Sequence, residues 1–237
     1  MESAKKAPAG AVRQLQEDDL SKKLVGWKPA STGTGGLVNE RGLAMLRVVV
    51  QKVVDGDLRD VYDQPLFVEN AGAIVACQAG EKIGLVQNYR FTGERLMDAG
   101  KDFVRRLDAE RRWDELLATL GRWEWELPRG LSQLEEETDL EKFVLATAKA
   151  EALEESGFGI ADARVCGRLN ANTTLFAHSQ YVVKGRVVSR CAAQPEELEM
   201  VGQTTLFDMA QIRVMVDTGV IQDGLTLAGL TVAGFRF

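Results

Sequence analysis

Three glutamates near the middle of the chain share one face of a predicted helix. Because a helix turns by about 100° per residue, Glu151, Glu154 and Glu155 point into an arc of about 100°. Leu140 and Val144, nearer the start of the same helix, fall on the same face. The carboxylates therefore continue the face that we expect to be buried, and buried carboxylates of like charge are costly unless something compensates them.

Local signals support a helix at this place in the chain. Thr138 and Glu141 have the spacing of a capping box, in which two side chains satisfy backbone N–H groups at the helix start. Gly157 is a typical C-terminal stop. Lys142 and Lys149 fall on the side opposite the glutamates. We therefore expect the lysine side of the helix, and not the glutamate side, to face solvent.

A bound cation is the simplest compensation for the three carboxylates. An acidic run on a helix is more often a solvated face, and that alternative stays open. The lysines on the opposite side argue against it. Carboxylate oxygens suit hard divalent ions, so the sequence predicts a site for Mg²⁺ or Mn²⁺.

The glutamates belong to a longer pattern that begins upstream of the helix. Gly130 ends the segment Trp123-Glu-Trp-Glu-Leu-Pro-Arg-Gly130, and the helix then supplies Glu151-x-x-Glu154-Glu155-x-Gly157-Phe158. This order resembles the Nudix hydrolase box, Gly-x5-Glu-x7-Arg-Glu-U-x-Glu-Glu-x-Gly-U, in which U is a bulky apolar residue. Gly130 matches the first position of the box, and the helix matches its second half.

Two further segments resemble the ADP-ribose pyrophosphatase branch of that family. Gln87-Asn-Tyr-Arg90 follows a predicted strand, as Arg-Gln-Tyr-Arg does in the branch. Gly219-Val-Ile-Gln-Asp-Gly-Leu-Thr226 resembles its C-terminal Gly-x-Ile-x-Asp-x-x-Thr. The resemblance covers roughly residues 48–230, and three motifs in the same order are more specific than one.

The sequence departs from the box at two points. The arginine that orients the glutamates in the family is replaced by Ala150, and the neighbouring Lys149 points to another side of the helix. The segment between Gly130 and the helix glutamates is six residues longer than in the family. The first box glutamate is therefore Glu136 by its distance from the glycine, or Glu141 by its closeness to the helix.

The resemblance implies a set of metal ligands and a catalytic base. Glu151 and Glu155 match the principal ligands of the box, and Glu154 matches a further one. The backbone carbonyl of Arg129, which precedes the box glycine, is an additional implied ligand. The branch often takes its general base from a glutamate on a late loop, and here we prefer Glu197.

Neighbouring residues keep the identity of the base open and extend the site. Glu196 and Glu199 stand on the same acidic loop, and any one of them has a solvated turn as its alternative. By motif position, Arg90 and Glu126 are predicted substrate contacts. His178 is the only histidine, so a Cys₂His₂ zinc site is excluded, and no serine elbow accompanies it for a Ser-His-Asp triad.

Together these features predict a Mg²⁺-dependent Nudix pyrophosphohydrolase. Its substrate would be ADP-ribose or a related nucleoside-diphosphate sugar, cut at the pyrophosphate into a nucleoside monophosphate and a sugar phosphate. The alternative is a non-catalytic Nudix-fold protein that binds such a nucleotide as a sensor or regulator. The branch also implies a homodimer.

Composition sets the wider expectations. The net charge is −6 and the isoelectric point about 5.1, which argues against a nucleic-acid-binding surface. The three cysteines have no metal-type spacing, which is typical of a reducing compartment and of small buried side chains. We find no apolar run long enough for a membrane span. We therefore predict a cytoplasmic protein with no membrane or nucleic-acid partner.

Patterning along the chain predicts an α/β (α+β) architecture of the Nudix type, an α/β/α sandwich with a mixed sheet. Residues 1–45 are a polar, Gly-rich stretch that we predict to be a flexible leader, and residues 46–237 form the Nudix domain. Residues 94–122 have a helical pattern and are predicted to be an inserted segment. The predicted strands cover 46–54, 66–68, 72–77, 82–87, 163–169, 180–188 and 200–207, and the predicted late helices 208–218 and 225–233.

Overall fold

The chain divides into two compact units. The first comprises residues 1–71 and 170–179, and the second comprises residues 72–169 and 180–237. The computed structural model describes residues 9–14, 27–29, 37–39, 44–54, 57–68, 71–90, 105–106, 109–112, 121–131, 139–172, 179–195 and 199–236.

The first unit contains a five-stranded sheet in which every pairing is antiparallel. Strand β4 lies in its middle and pairs with β1, β3 and β5, whereas β2 pairs with β3. Val54 pairs with Asp57, so β4 and β5 form a hairpin. The strands are β1 (Ala9–Gln14), β2 (Trp27–Pro29), β3 (Leu37–Asn39), β4 (Ala44–Val54) and β5 (Asp57–Val68).

The early strands correct the predicted leader. Three of them lie within residues 1–45, where we predicted no regular structure, and the division between units falls at Ala71 rather than at residue 45. The short strands have no periodic apolar pattern of their own. They form because β4, a longer strand rich in β-branched residues, offers hydrogen-bonding partners. A local reading of the sequence does not detect such pairing.

The second unit contains a seven-stranded mixed sheet. The main path is β10-β11-β6-β7-β12, with β8 paired to β7 and β9 paired to β6. Only the β11–β6 pairing is parallel among those described. The strands are β6 (Gly72–Ala79), β7 (Lys82–Arg90), β8 (Arg122–Glu126), β9 (Arg129–Leu131), β10 (Phe158–Leu169), β11 (Gln180–Arg190) and β12 (Val201–Asp208).

Among the described residues, three helices cover the two faces of this sheet: α1 (Leu140–Ser156), α2 (Met209–Asp217) and α3 (Gly224–Val232). Alternate residues of a strand point to opposite faces. Accordingly, Val75 packs in the core with α1, whereas Ile74 packs in the core with Ile212 of α2 and Leu230 of α3. The predicted mixed sheet between helices is therefore present.

Strands β6 and β7 diverge, and the β8–β9 segment fills the space between them. The first half of β6 pairs with β9 and its last residues pair with β7, while the second half of β7 pairs with β8. Leu127 and Pro128 connect β8 to β9, and the Val75 N–H donates to the Pro128 carbonyl at 2.8 Å. This arrangement places Glu126 and Arg129 between the two central strands.

The N-cap of helix α1 lies one residue after the predicted N-cap, Thr138. Asp139 is the N-cap, and its side chain accepts hydrogen bonds from the backbone N–H groups of Glu141 and Lys142 at 3.1 and 3.3 Å. Aspartate caps a helix at least as well as threonine does. Gly157 ends the helix in the left-handed conformation, with φ of 70°, as predicted.

The buried face of α1 agrees with the prediction in part, since Glu151 and Glu154 on that face are only partly buried. Val144 and Glu155 are buried and Lys142 and Lys149 are exposed. Leu140, predicted to be buried, is 49% exposed. The angular pattern fixes the direction of a side chain but not how far along the helix the sheet extends, and Leu140 is the first helical residue.

Much of the predicted helical insertion at 94–122 lies outside the described residues. Within it, Arg105, Arg106 and Ala109 are helical, and Arg122 already belongs to β8. His178 also lies outside the described residues. Among the helices that the structure describes, none combines the length and apolar character needed to cross a membrane.

Candidate active site

Glu155 lies in the last turn of α1 with its carboxylate turned into the protein. Only 3% of the residue is exposed. Its Oε2 accepts a hydrogen bond from the Arg129 backbone N–H at 2.8 Å, and its Oε1 accepts one from the Asn88 side-chain amide at 3.2 Å. One of the predicted metal ligands is therefore buried and directed at the start of β9.

The surroundings of Glu155 raise the pKa of its carboxyl group to about 7. Burial is the main cause, because it removes hydration from the charged form. The Arg129 N–H and the charge of Arg90 lower the pKa, whereas the negative charge of Glu199 raises it further. The group therefore changes charge near neutral pH, and a cation beside it would stabilise the ionised form.

Glu126, at the end of β8, is 1% exposed and is held by two arginines. Arg90 Nε donates to its two oxygens at 2.9 and 3.0 Å, and Arg90 Nη2 also donates to Oε2. Arg129 Nη2 donates to Oε1 at 3.1 Å. The Asn88 amide lies 3.3 Å from Glu126 Oε2, so it bridges Glu126 and Glu155.

The two predicted substrate contacts, Arg90 and Glu126, thus contact each other. Glu126 is enclosed and its charge is balanced by guanidinium groups, which is the usual condition for a buried carboxylate. The Arg90 side chain keeps 37% of its surface exposed. Of the pair, Arg90 is the more exposed residue, and its contact with a substrate stays a prediction.

Arg129 connects this cluster to the C-terminal motif. Its Nη1 donates to Asp223 Oδ2 at 2.6 Å, and the same oxygen accepts the Thr226 backbone N–H at 2.7 Å as the N-cap of α3. Burial works to raise the pKa of Asp223. The Arg129 charge and the hydrogen bonds from Thr226 and Arg129 outweigh it and hold that pKa below its usual value. Asp223 is therefore ionised at neutral pH.

A second contact joins the same two segments. The Thr226 hydroxyl is fully buried and accepts a hydrogen bond from the Leu127 backbone N–H at 3.0 Å. The start of α3 therefore contacts this segment at two points. Thr226 binds the Leu127 backbone, and Asp223 binds the Arg129 side chain.

Glu151 approaches the same connection at the next residue. A Cβ atom built on Gly130 would lie 1.8 Å from Glu151 Oε1, so only glycine leaves room for this carboxylate. Glu151 and Glu154 are both partly buried. The Glu154 backbone carbonyl accepts a hydrogen bond from the Gln194 N–H at 2.8 Å, which ties the helix to the segment after β11.

The remaining predicted residues are divided between described and undescribed parts of the chain. Glu199 is partly buried and close enough to Glu155 to affect its pKa. Glu141 is exposed in the first turn of α1. Glu197, the preferred base, lies outside the described residues together with Glu196 and Glu136. Of the three candidate bases, Glu199 is the one that the structure relates to the site.

The donors at the site suit a hard divalent ion. Glu151 and Glu155 lie against adjacent residues, Gly130 and Arg129, and burial makes the charge of Glu155 costly unless a cation compensates it. Carboxylate oxygens are the ligands that Mg²⁺ and Mn²⁺ prefer. Within the described ranges, no three His, Cys, Asp or Glu side chains converge closely enough to hold a metal ion.

Two site residues received no individual role from the sequence. Asn88 stands two positions before Arg90, and this spacing on a strand places both side chains on one face. The period-two spacing of a strand could therefore have indicated Asn88 from the sequence. Asp223 was visible only as part of a motif. Its contact with Arg129 joins segments that are far apart in the chain, and no local pattern predicts such a contact.

The cysteines are free thiols that differ in exposure. Cys77 is fully buried, and burial together with the nearby charge of Glu155 raises the pKa of its thiol to about 12. The expectation of a small buried side chain is confirmed there. Cys166 is partly buried and Cys191 is exposed, so the expectation is wrong for Cys191.

Comparison with known proteins finds similar solved structures. No family model matches the chain, and no curated protein matches it. The chain is similar to the crystal structure of an ADP compounds hydrolase, with a TM-score of 0.58, 12% sequence identity, and coverage of 97% of this chain and 95% of that one. It is also similar to a NUDIX hydrolase from Nitrosomonas europaea, with a TM-score of 0.45, 16% identity, and coverage of 71% and 92%.

The first likeness confirms the predicted fold class. The α+β arrangement of a mixed sheet with helices matches over nearly the whole length of both chains. At 12% identity, the likeness shows the fold alone.

Proposed function

We propose that the protein is a divalent-metal-dependent pyrophosphohydrolase of the Nudix type. Its substrate would be ADP-ribose or a related nucleoside-diphosphate sugar, and its products a nucleoside monophosphate and a sugar phosphate. One observation carries the proposal. The two halves of the box resemblance are separated by the segment 131–150, yet they meet in space, with Glu155 on Arg129 and Glu151 against Gly130.

In this proposal the helix glutamates and the loop before the box glycine form the metal site. Glu151, Glu154 and Glu155, with the backbone carbonyl of Arg129, would hold Mg²⁺ or Mn²⁺. The ion supplies neutralisation of the diphosphate and activation of water, which phosphoryl transfer needs more than covalent help. The protein's own contribution is to keep Glu155 buried and oriented by two N–H donors, so that little reorganisation is needed.

Two further assignments complete the proposed site. Arg90, whose side chain is 37% exposed, would bind the anionic diphosphate, while Glu126 holds its guanidinium in place. The general base would be Glu197, with Glu196 and Glu199 as alternatives. A homodimer is proposed on the resemblance to the ADP-ribose pyrophosphatase branch, and a cytoplasmic location on the cysteine pattern and the lack of a long apolar run.

The test is direct. Purified protein is incubated with ADP-ribose and MgCl₂, and we expect AMP and ribose 5-phosphate in equal amounts, with no product in excess EDTA. Glu155→Gln should abolish turnover, whereas Glu81→Gln, a change at an exposed carboxylate in the β6–β7 turn, should not. Turnover that persists in EDTA or in the Glu155 variant would contradict the proposed site.

A nucleotide sensor is the second candidate. It is favoured by Ala150, which is exposed on α1 at the position of the box arginine. Calorimetry would separate the two functions. A sensor should bind ADP-ribose stoichiometrically, and the ligand should be recovered intact after prolonged incubation with Mg²⁺. An enzyme should release products from the same sample.

A further inference from the structure

We infer that Asp223 is a positioning residue for the proposed metal site and that it acts through Arg129. The inference rests on the proposed function and deepens it. The sequence marked Asp223 only as part of a C-terminal motif, and as the cap of α3 it would need no arginine. The structure gives it both a helix cap and an ion pair.

Arg129 connects three carboxylates at the site. This residue uses three N–H donors on three carboxylates: Nη1 on Asp223 at 2.6 Å, Nη2 on Glu126 at 3.1 Å, and its backbone N–H on Glu155 at 2.8 Å. The side chain is 17% exposed, so its conformation is restricted on most sides. Two ion pairs therefore fix the residue whose peptide contacts Glu155.

Helix α3 also contacts the segment that precedes Arg129. Thr226 is fully buried and receives the Leu127 N–H, so α3 binds the connection at a neighbouring point as well. Gly229 of the same helix lies close to Leu127 and Ile74, because a Cβ atom built there would lie 3.0 Å from each of them. Helix α3 therefore packs closely against this segment, and Asp223 holds Arg129 in a fixed position relative to the helix.

Removing the Asp223 charge would leave the Arg129 peptide less restrained. Without the Asp223 charge, the guanidinium keeps Glu126 as its remaining acidic partner among these contacts, and the peptide that contacts Glu155 loses one of its restraints. Residues that orient metal ligands through hydrogen bonds typically change metal affinity or activity by about 10- to 100-fold when replaced. We expect a change at the lower end, about 10-fold, because the Glu126 contact remains.

The substitutions separate the charge of Asp223 from its capping role. Asn caps helices as well as Asp, so Asp223→Asn keeps the cap and removes the charge. Asp223→Glu keeps the charge and caps poorly. If the ion pair positions Arg129, Asn is the more harmful change for the site. If only the cap matters, Glu is the more harmful one.

Asp208 offers a matched control. It is also an N-cap aspartate, and its side chain accepts the Gln211 N–H at 2.8 Å at the start of α2. Asp208→Asn should leave Mg²⁺ dependence and turnover unchanged. Asp223→Asn should raise the Mg²⁺ concentration for half-maximal activity about 10-fold, with a fall in kcat that exceeds any change in KM for ADP-ribose.

Two readouts do not depend on activity. Hydrogen exchange should show faster exchange at the Arg129 amide in Asp223→Asn than in Asp208→Asn. The rise in melting temperature on adding Mg²⁺ should also be smaller in the Asp223 variant. If wild-type protein fails to cleave ADP-ribose, the proposed substrate fails, and these readouts still decide the positioning role.

A double-mutant cycle shows whether Asp223 acts through Arg129. Arg129→Met removes the guanidinium and keeps the peptide. Adding Asp223→Asn to it should then cause no further loss in Mg²⁺ response. Equal Arg129 amide exchange in the two aspartate variants, or additive losses in the cycle, would overturn the inference.

Discussion

Replacing Glu155 by glutamine should stabilise the metal-free protein at high pH and not at low pH. The change keeps the shape of the side chain and removes its ability to ionise. In the folded protein the pKa of this carboxyl group is about 7, above its ordinary value of 4.5. Between these values the folded state holds a proton that the unfolded state has lost, so wild-type stability falls as pH rises through that window.

The magnitude follows from the shift in pKa. Each pKa unit corresponds to about 1.4 kcal/mol, so burial of the charged Glu155 costs about 3 kcal/mol when both states are ionised. Below the unfolded pKa both states are neutral and the cost vanishes. Linkage between pH 5 and pH 8 gives a change of about 2 to 3 kcal/mol in wild-type stability from this group. Glutamine lacks this dependence.

Glutamine also has a cost of its own. Both oxygens of Glu155 accept hydrogen bonds, from Asn88 and from the Arg129 N–H, whereas an amide offers only one acceptor oxygen. One lost hydrogen bond at a buried site costs about 1 to 2 kcal/mol. The variant should thus be more stable than wild type by about 1 to 2 kcal/mol at pH 8, and slightly less stable at pH 5.

Urea unfolding in EDTA, followed by tryptophan fluorescence at several pH values, measures this difference. Trp123 and Trp125 lie in β8, beside the site, and report on its unfolding. Glu81→Gln serves as the control, and its difference from wild type should stay nearly constant with pH. A Glu155→Gln difference that is equally constant would show that Glu155 is not a buried titrating group, and the site geometry would then be wrong.

Three further predictions concern the rest of the site. Gly130→Ala should displace Glu151 and weaken Mg²⁺ binding by about 10-fold or more, measured by calorimetry. The same change at Gly224, where a Cβ atom would meet open space, should not. Ala150→Arg should raise turnover in the ADP-ribose assay if the new guanidinium reaches the carboxylate four residues later, and unchanged turnover would show that the missing box arginine does not limit the rate. Replacing the part of residues 94–122 that precedes β8 by a short Gly/Ser linker should change KM, substrate range or subunit mass but keep Mg²⁺ binding, and lost binding would mean that this segment supplies ligands.

The sequence predicted best those features that depend on neighbours in the chain. The buried face of α1 and its end at Gly157 follow from helical periodicity and from the left-handed conformation that glycine adopts easily. The turn between β6 and β7 is equally local, because Gly80 adopts a φ of 62° and Ala79 pairs with Lys82. Local features of this kind need no knowledge of the rest of the fold.

Features that depend on distant partners were predicted less well. Strand β1 forms on β4, and its own residues carry no strand pattern. Arg90 and Glu126 were each predicted to face a substrate, but their side chains bind each other although the register of β7 and β8 pairs Glu126 with Val86. The motifs selected both residues, but the hydrogen bond between them depends on side chains from two different strands, and no local pattern predicts it.

The charges around Glu155 suggest how the chain tolerates alanine at the box arginine position. In the Nudix family, which the sequence resembles, that arginine stands on the helix, where Ala150 is exposed in this protein. Here the nearby positive charges come from strands instead, with Arg90 on β7 and Arg129 on β9, and both lower the pKa of Glu155. Strand-borne arginines are fixed by the sheet and by Glu126, so they lose little freedom when they orient a carboxylate. Orientation of the proposed ligands would thus depend on the sheet and on α3 rather than on the helix that carries them.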